Sequence, residues 1–164
     1  MTGDPTAHRA GSMKEAEPIF RAVLESGGTF RLMPRGNSMR PTIIPGRDGV
    51  SLVRLEGQAS VYDILLYQRA DGSFVLHRVA AIAPDGSYTM CGDHQVVLER
   101  GVRQEDVVGV VTAIHRPQGD LLRGTEAFLA PARRRARNRP LRCVRYYMGL
   151  CFQRLFGKKG KNAK

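Results

Sequence analysis

The sequence predicts a mainly β domain with a short N-terminal helix and a basic amphipathic C-terminal helix, and three observations carry that reading. Between Thr29 and Ile114, short β-rich runs alternate with turn signals at the spacing of an antiparallel sandwich or small barrel. Ahead of them, Ile19, Phe20, Val23 and Leu24 recur at helical spacing. Behind them, arginines alternate with apolar residues at helical period from Leu141 to Phe156.

Residues 1–12 are polar with Pro and Gly, which predicts a disordered leader. Lys14 to Ser26 reads as a helix, with Glu15 and Glu17 near its start and Gly27-Gly28 at its end. The clearest β unit is a hairpin: 64–67 and 74–79 flank Asp71-Gly72, a pair that tolerates the positive φ of a tight turn. A second turn at Pro84-Asp85-Gly86 returns the chain through 88–91 to Gly92-Asp93, and 107–114 supplies a further buried strand. The expected organisation is a leader at 1–12, a β domain at 13–116, a linker at 117–138 and a basic tail at 139–164.

With 164 residues the chain suits one domain with a single core. The net charge of +11 is uneven: twelve Lys and Arg but no Asp or Glu fall after residue 130, leaving fourteen basic against fifteen acidic residues before it. The body is therefore near neutral and the tail carries the basicity. Three cysteines, Cys91, Cys143 and Cys151, cannot all pair and have no metal-site spacing, so they read as reduced thiols of the cytoplasm. Met1 to Ser26 holds no apolar run suited to a signal peptide or a membrane span, which argues against export by the usual route.

Three segments carry the chemistry. Gly36-Asn37-Ser38-Met39-Arg40-Pro41-Thr42 offers a serine, Leu76-His77-Arg78-Val79 a histidine and Gly92-Asp93 a carboxylate. A serine hydroxyl attacks a carbonyl at neutral pH only when a nearby base takes its proton, and an imidazole titrates in the right range, near 6.5, without special tuning. His77 and Asp93 stand at comparable distances from the 84–86 turn, so the second hairpin is expected to bring them face to face. His94 and His115 read as surface and strand-end residues, His8 falls in the leader, and Asp63 has the look of a structural residue opening a strand.

The serine segment closely resembles the nucleophile box of the signal peptidases and the self-cleaving SOS-type repressors. Asp63-Ile64-Leu65-Leu66-Tyr67, Leu76-His77-Arg78-Val79 and Gly92-Asp93 are similar to that clan's later boxes, in the same order, over 28–114. His77 stands where bacterial members carry lysine and where endoplasmic reticulum and archaeal signal peptidases carry histidine. The resemblance therefore implies a signal-peptidase-like β domain and a serine endopeptidase that removes a leader or signal segment from a precursor. In it Ser38 is the nucleophile, His77 the general base and Asp93 the third member, with no metal or organic cofactor. Two departures stand out. His94 follows Asp93 where the family has Asn, and Gly36 stands where bacterial members place a serine that donates to the oxyanion. The backbone N–H of Ser38, with Asn37, is left to fill that role. The alternative is an inactive member of the fold that binds or regulates through its basic tail.

Within that tail, Val144, Tyr147, Met148, Cys151, Phe152 and Leu155 share one helical face, and Arg142, Arg145 and Gln153 lie opposite. Residues 133–164 thus suit either the surface of an anionic membrane, as a peripheral anchor, or packing on the body, with equal weight. Nucleic acid is disfavoured because no recognised binding module accompanies the arginines. Too few residues precede Ser38 for the DNA-binding domain of a repressor.

Overall fold

A computed structural model describes residues 13–156, with side chains from 16 to 152. The leader at 1–12 and the last residues of the tail, 157–164, lie outside the described residues.

Ile64–Gln68 shows how the fold is organised. Ile64, Leu65, Leu66 and Tyr67 are all buried, so this strand is covered on both faces and must be central. The other strands assemble around it. They are β1 (Phe30–Leu32), β2 (Gly49–Val53), β3 (Ile64–Gln68), β4 (Phe74–Ile82), β5 (Tyr88–Cys91), β6 (Glu99–Val102), β7 (Val107–His115) and β8 (Leu121–Leu122). They form an eight-stranded sheet in the order β1-β2-β7-β3-β4-β5-β6, with every pairing antiparallel. β8 pairs with the second half of β7, prolonging the row that β3 forms along the first half. β1 and β6 remain edges, so the sheet does not close on itself as the barrel expectation required. The mainly β class holds.

Alternate residues of β3 feed two cores. Ile64 and Leu66 join Val50, Leu52, Val108, Val111 and Ile114 on one face, and Leu65 and Tyr67 join Val79, Tyr88, Met90 and Val102 on the other. The first face is covered by helix α1 (Met13–Glu25), whose Phe20 is fully buried with its ring 5.6 Å from Phe30 and 5.3 Å from Phe74. Both turns read from the sequence hold a glycine at positive φ, Gly72 at 78° and Gly86 at 82°.

The segment 117–138, expected to be a linker, instead carries β8 and helix α2 (Glu126–Arg137). The Thr125 hydroxyl caps α2 by accepting from the Phe128 N–H; Phe128 joins the first core, and Ala132 is buried as well. So narrow an apolar stripe among arginines has little signature in sequence. Arg123 forks onto both oxygens of Asp63, tying the start of α2 to the start of β3; Asp63 is thus placed structurally. Helix α3 (Arg139–Phe156) follows directly. No described helix is long and apolar enough to cross a membrane.

Candidate active site

Ser38 lies in the loop between β1 and β2. Its neighbours Met39 and Ile43 point into the first core, at 2% and 1% exposure, and root the loop while Ser38 stays half-buried. The Ser38 carbonyl accepts the His94 N–H at 2.7 Å. Gly92 provides the space: a Cβ there would lie 2.7 Å from the Ser38 carbonyl oxygen and 3.0 Å from its Cβ, so only glycine admits the serine this close. Thr42, four residues on, donates its hydroxyl to Asp93 Oδ2, while its own oxygens accept from Arg135 and Arg116.

His77 lies on β4, opposite Leu65 of β3 and beside Arg78, which pairs with Cys91 of β5. That register, continued by one residue, sets Gly92 across from His77, so the glycine under Ser38 is the cross-strand neighbour of the histidine. The imidazole is 4% exposed. Its Nδ1 lies 3.2 Å from the Tyr67 hydroxyl, which donates to Glu99 Oε2 at 2.7 Å; Arg69 holds Glu99 through two bonds of 2.8 and 2.6 Å. Because the Tyr67 proton goes to Glu99, Nδ1 carries the hydrogen of the His77–Tyr67 bond, which leaves the lone pair on Nε2. Burial pushes the imidazole down to about 4, against the opposing pull of the Glu99 carboxylate. Burial, with Glu99 beside it, raises the Tyr67 hydroxyl, so it stays protonated. Among the described residues, neither Ser38 Oγ nor His77 Nε2 makes a hydrogen bond. The N–H groups of Asn37 and Ser38 donate to no backbone carbonyl there, which leaves them free to polarise a substrate carbonyl.

Asp93 does not bond to His77. Its carboxylate takes a bidentate clasp from Arg78, at 2.8 Å on each oxygen, with the Thr42 hydroxyl as a further donor and Arg135 at 3.7 Å. Burial would raise this carboxyl, but the Arg78 pairing outweighs it and holds the group below its ordinary range. The expected face-to-face approach fails because β4 and β5 slip register between Val79 and Ala81. The slip moves the residue opposite His77 from Asp93 to Gly92 and turns Asp93 toward Arg78, on the other face of the sheet. Tyr67 and Glu99 take the position beside Nδ1. Tyr67 was legible in hindsight, since the Asp71-Gly72 hairpin sets it on the same face as His77 and one pair away; Glu99, on β6, had no sequence signal.

A second serine, histidine and carboxylate lie in line elsewhere. Ser51 Oγ is 2.7 Å from His115 Nε2, and His115 Nδ1 is 2.9 Å from Asp120. Ser51, however, is 5% exposed in the middle of β2, paired to Arg31 on one side and Ala113 on the other. A residue inside the ladder has its N–H committed there and cannot offer an oxyanion donor, so this set fastens β2 to the end of β7. His94 is exposed and engages through its backbone N–H. The described residues contain no group of three or more His, Cys, Asp or Glu able to hold a metal ion, and the three cysteines are free.

No family model matches the chain, and a search of curated protein sequences finds no match.

Proposed function

We propose that the chain is a serine endopeptidase of the signal-peptidase-like fold, which removes a leader or signal segment from a precursor peptide or protein. The observation that carries this is the seating of Ser38 on Gly92, the cross-strand neighbour of a buried, neutral His77 whose open lone pair is on Nε2. Ser38 Oγ attacks the scissile carbonyl carbon as its proton passes to His77 Nε2, and the backbone N–H groups of Ser38 and Asn37 receive the oxyanion. Collapse breaks the C–N bond. The proton goes from Nε2 to the leaving amine, and a water activated by His77 then hydrolyses the acyl ester. The imidazolium formed in each half-reaction is stabilised by Glu99 through Tyr67. The two catalytic side chains are not bonded in this conformation, and such contacts tighten when substrate fills the site.

A serine-directed acylating reagent with its labelling site mapped, together with cleavage of a peptide library, tests the reading. Labelling at Ser38 that is lost in both Ser38→Ala and His77→Ala is expected. Labelling at Ser51 would transfer the activity to the other triad. No labelling and no cleavage would leave a non-catalytic member of the fold, binding or regulating through its basic tail.

A further inference from the structure

In most surface helices the apolar stripe faces the body and the charges face water. Helix α3 departs from that: arginines at its start hold it to the body, and every described residue from Val144 to Phe152 is exposed. Arg142 donates to the carbonyls of Asp93 and Gln95 at 3.0 and 3.1 Å, and Arg139 to that of Val96 at 3.4 Å, so the polar side grips the loop after β5. The contact stripe runs on from α2, where Phe128 and Ala132 are buried and Arg135 reaches Thr42. At about 3.6 residues per turn, the side opposite Arg139 and Arg142 carries Val144, Tyr147 and Met148, with Leu141 at its border. These are 57%, 57%, 66% and 73% exposed. Four large apolar side chains in one outward stripe are more than the scattered exposure normal for a soluble surface.

We propose that α3 lies in the interface of an anionic membrane, with its Val144–Tyr147–Met148 stripe among the acyl chains. Charge selects this occupant. Exposed Arg145 borders the stripe, Arg134 and Arg137 are exposed on the adjoining α2, where Arg133 is paired with Glu126, and the sequence from residue 131 onward has no carboxylate side chain to oppose phosphate headgroups. A stripe flanked by one sign of charge fits a lipid surface better than a neutral protein groove. The arginines that hold α3 to the body end on Asp93, Gln95 and Val96, and the next residue back from them, Gly92, underlies Ser38. A docked α3 therefore sets the serine loop near the headgroups, where a precursor held at a membrane would be presented. That last consequence rests on the peptidase reading; the docking does not.

The test is co-sedimentation of the full chain with vesicles of phosphatidylcholine alone or mixed with phosphatidylglycerol. Partition onto the mixed vesicles roughly tenfold or more above that onto phosphatidylcholine is expected. Val144→Ser with Met148→Glu should abolish it, and Arg145→Glu should weaken it, with thermal unfolding unchanged because these side chains are exposed. Ser38→Ala should bind as well as the unsubstituted chain, which separates failure of docking from failure of the peptidase reading. Absence of lipid-dependent sedimentation, or binding that survives the double substitution, would overturn the proposal. A solution dimer dissolved by the same double substitution would assign the stripe to a second copy and also overturn it.

Discussion

The hydroxyl of Tyr67 lies 3.2 Å from Nδ1 of His77 and passes its own hydrogen bond to Glu99. The relay does for this histidine what a directly bonded carboxylate does in a serine triad: it fixes the tautomer and places a negative charge one residue away. Tyr67→Phe should cut acylation of Ser38 within the roughly 10²–10⁴-fold that a positioned general base supplies, with the fold retained. Glu99→Gln should cut it less and should also move the acid limb of the rate profile downward, because the charge that favours the imidazolium is gone. A merely structural pair would lower the rate without moving that limb. Steady-state cleavage of a library-derived peptide from pH 3.5 to 8 decides between them.

The pH dependence of the unsubstituted chain carries its own prediction. An unburied histidine predicts a rate rising through roughly pH 6 to 7. Burial lowers His77 to about 4, so the limb should fall there, with a plateau across neutral pH. Stability follows by linkage. Between about 4 and the ordinary imidazole value near 6.5, the unfolded chain binds a proton that native His77 refuses. Stability is therefore full above that window and falls as pH drops through it. Urea midpoints measured at intervals from pH 7 to 4 should decline, and His77→Gln should flatten the decline.

The hairpins and the order of the three chemistry-bearing segments were legible because each rests on local signals: Asp-Gly turns, alternation and apolar runs. The third member of the site was not, for a reason that is also physical. Counting back from the 84–86 turn sets His77 opposite Asp93 only if every residue of β4 has one partner, and the slip between Val79 and Ala81 gives β4 one residue too many. A bulge leaves no mark in composition, and a single step exchanges the faces of the sheet. The open sheet and the docking of α2 likewise depend on contacts between distant segments, Arg123 with Asp63 and Phe128 with the first core, which no local pattern announces.

Asp93 accordingly becomes a residue whose removal should cost stability first. Asp93→Ala strands the Arg78 guanidinium, which is 6% exposed and stacked 5.1 Å from the Phe128 ring centre. Breaking one partner out of a buried pair costs about 3–5 kcal/mol. It also takes away the acceptor of the Thr42 hydroxyl, one of the ties of the serine loop. Urea unfolding should show that loss. The double substitution Arg78→Met with Asp93→Leu should recover much of it, and the variant that refolds should move the acid limb downward by less than Glu99→Gln does, since Asp93 favours the imidazolium more weakly than Glu99.

Two glycines beside the nucleophile separate packing from chemistry. At Gly92 an added Cβ meets the Ser38 carbonyl oxygen at 2.7 Å, and that oxygen is already held by the His94 N–H, so the loop cannot yield without losing a backbone hydrogen bond. Gly92→Ala should destabilise by about 1–3 kcal/mol, as overpacking does, and should suppress acylation of Ser38 by more than the stability loss explains, because Ser38 is pushed off the strand facing His77. At Gly36 an added Cβ meets nothing within 4 Å, so Gly36→Ala should leave both quantities unchanged. Labelling rates of the two variants, measured at a temperature where both are folded, check the pair. Equal rates would mean that the seat on Gly92 has no part in placing the serine.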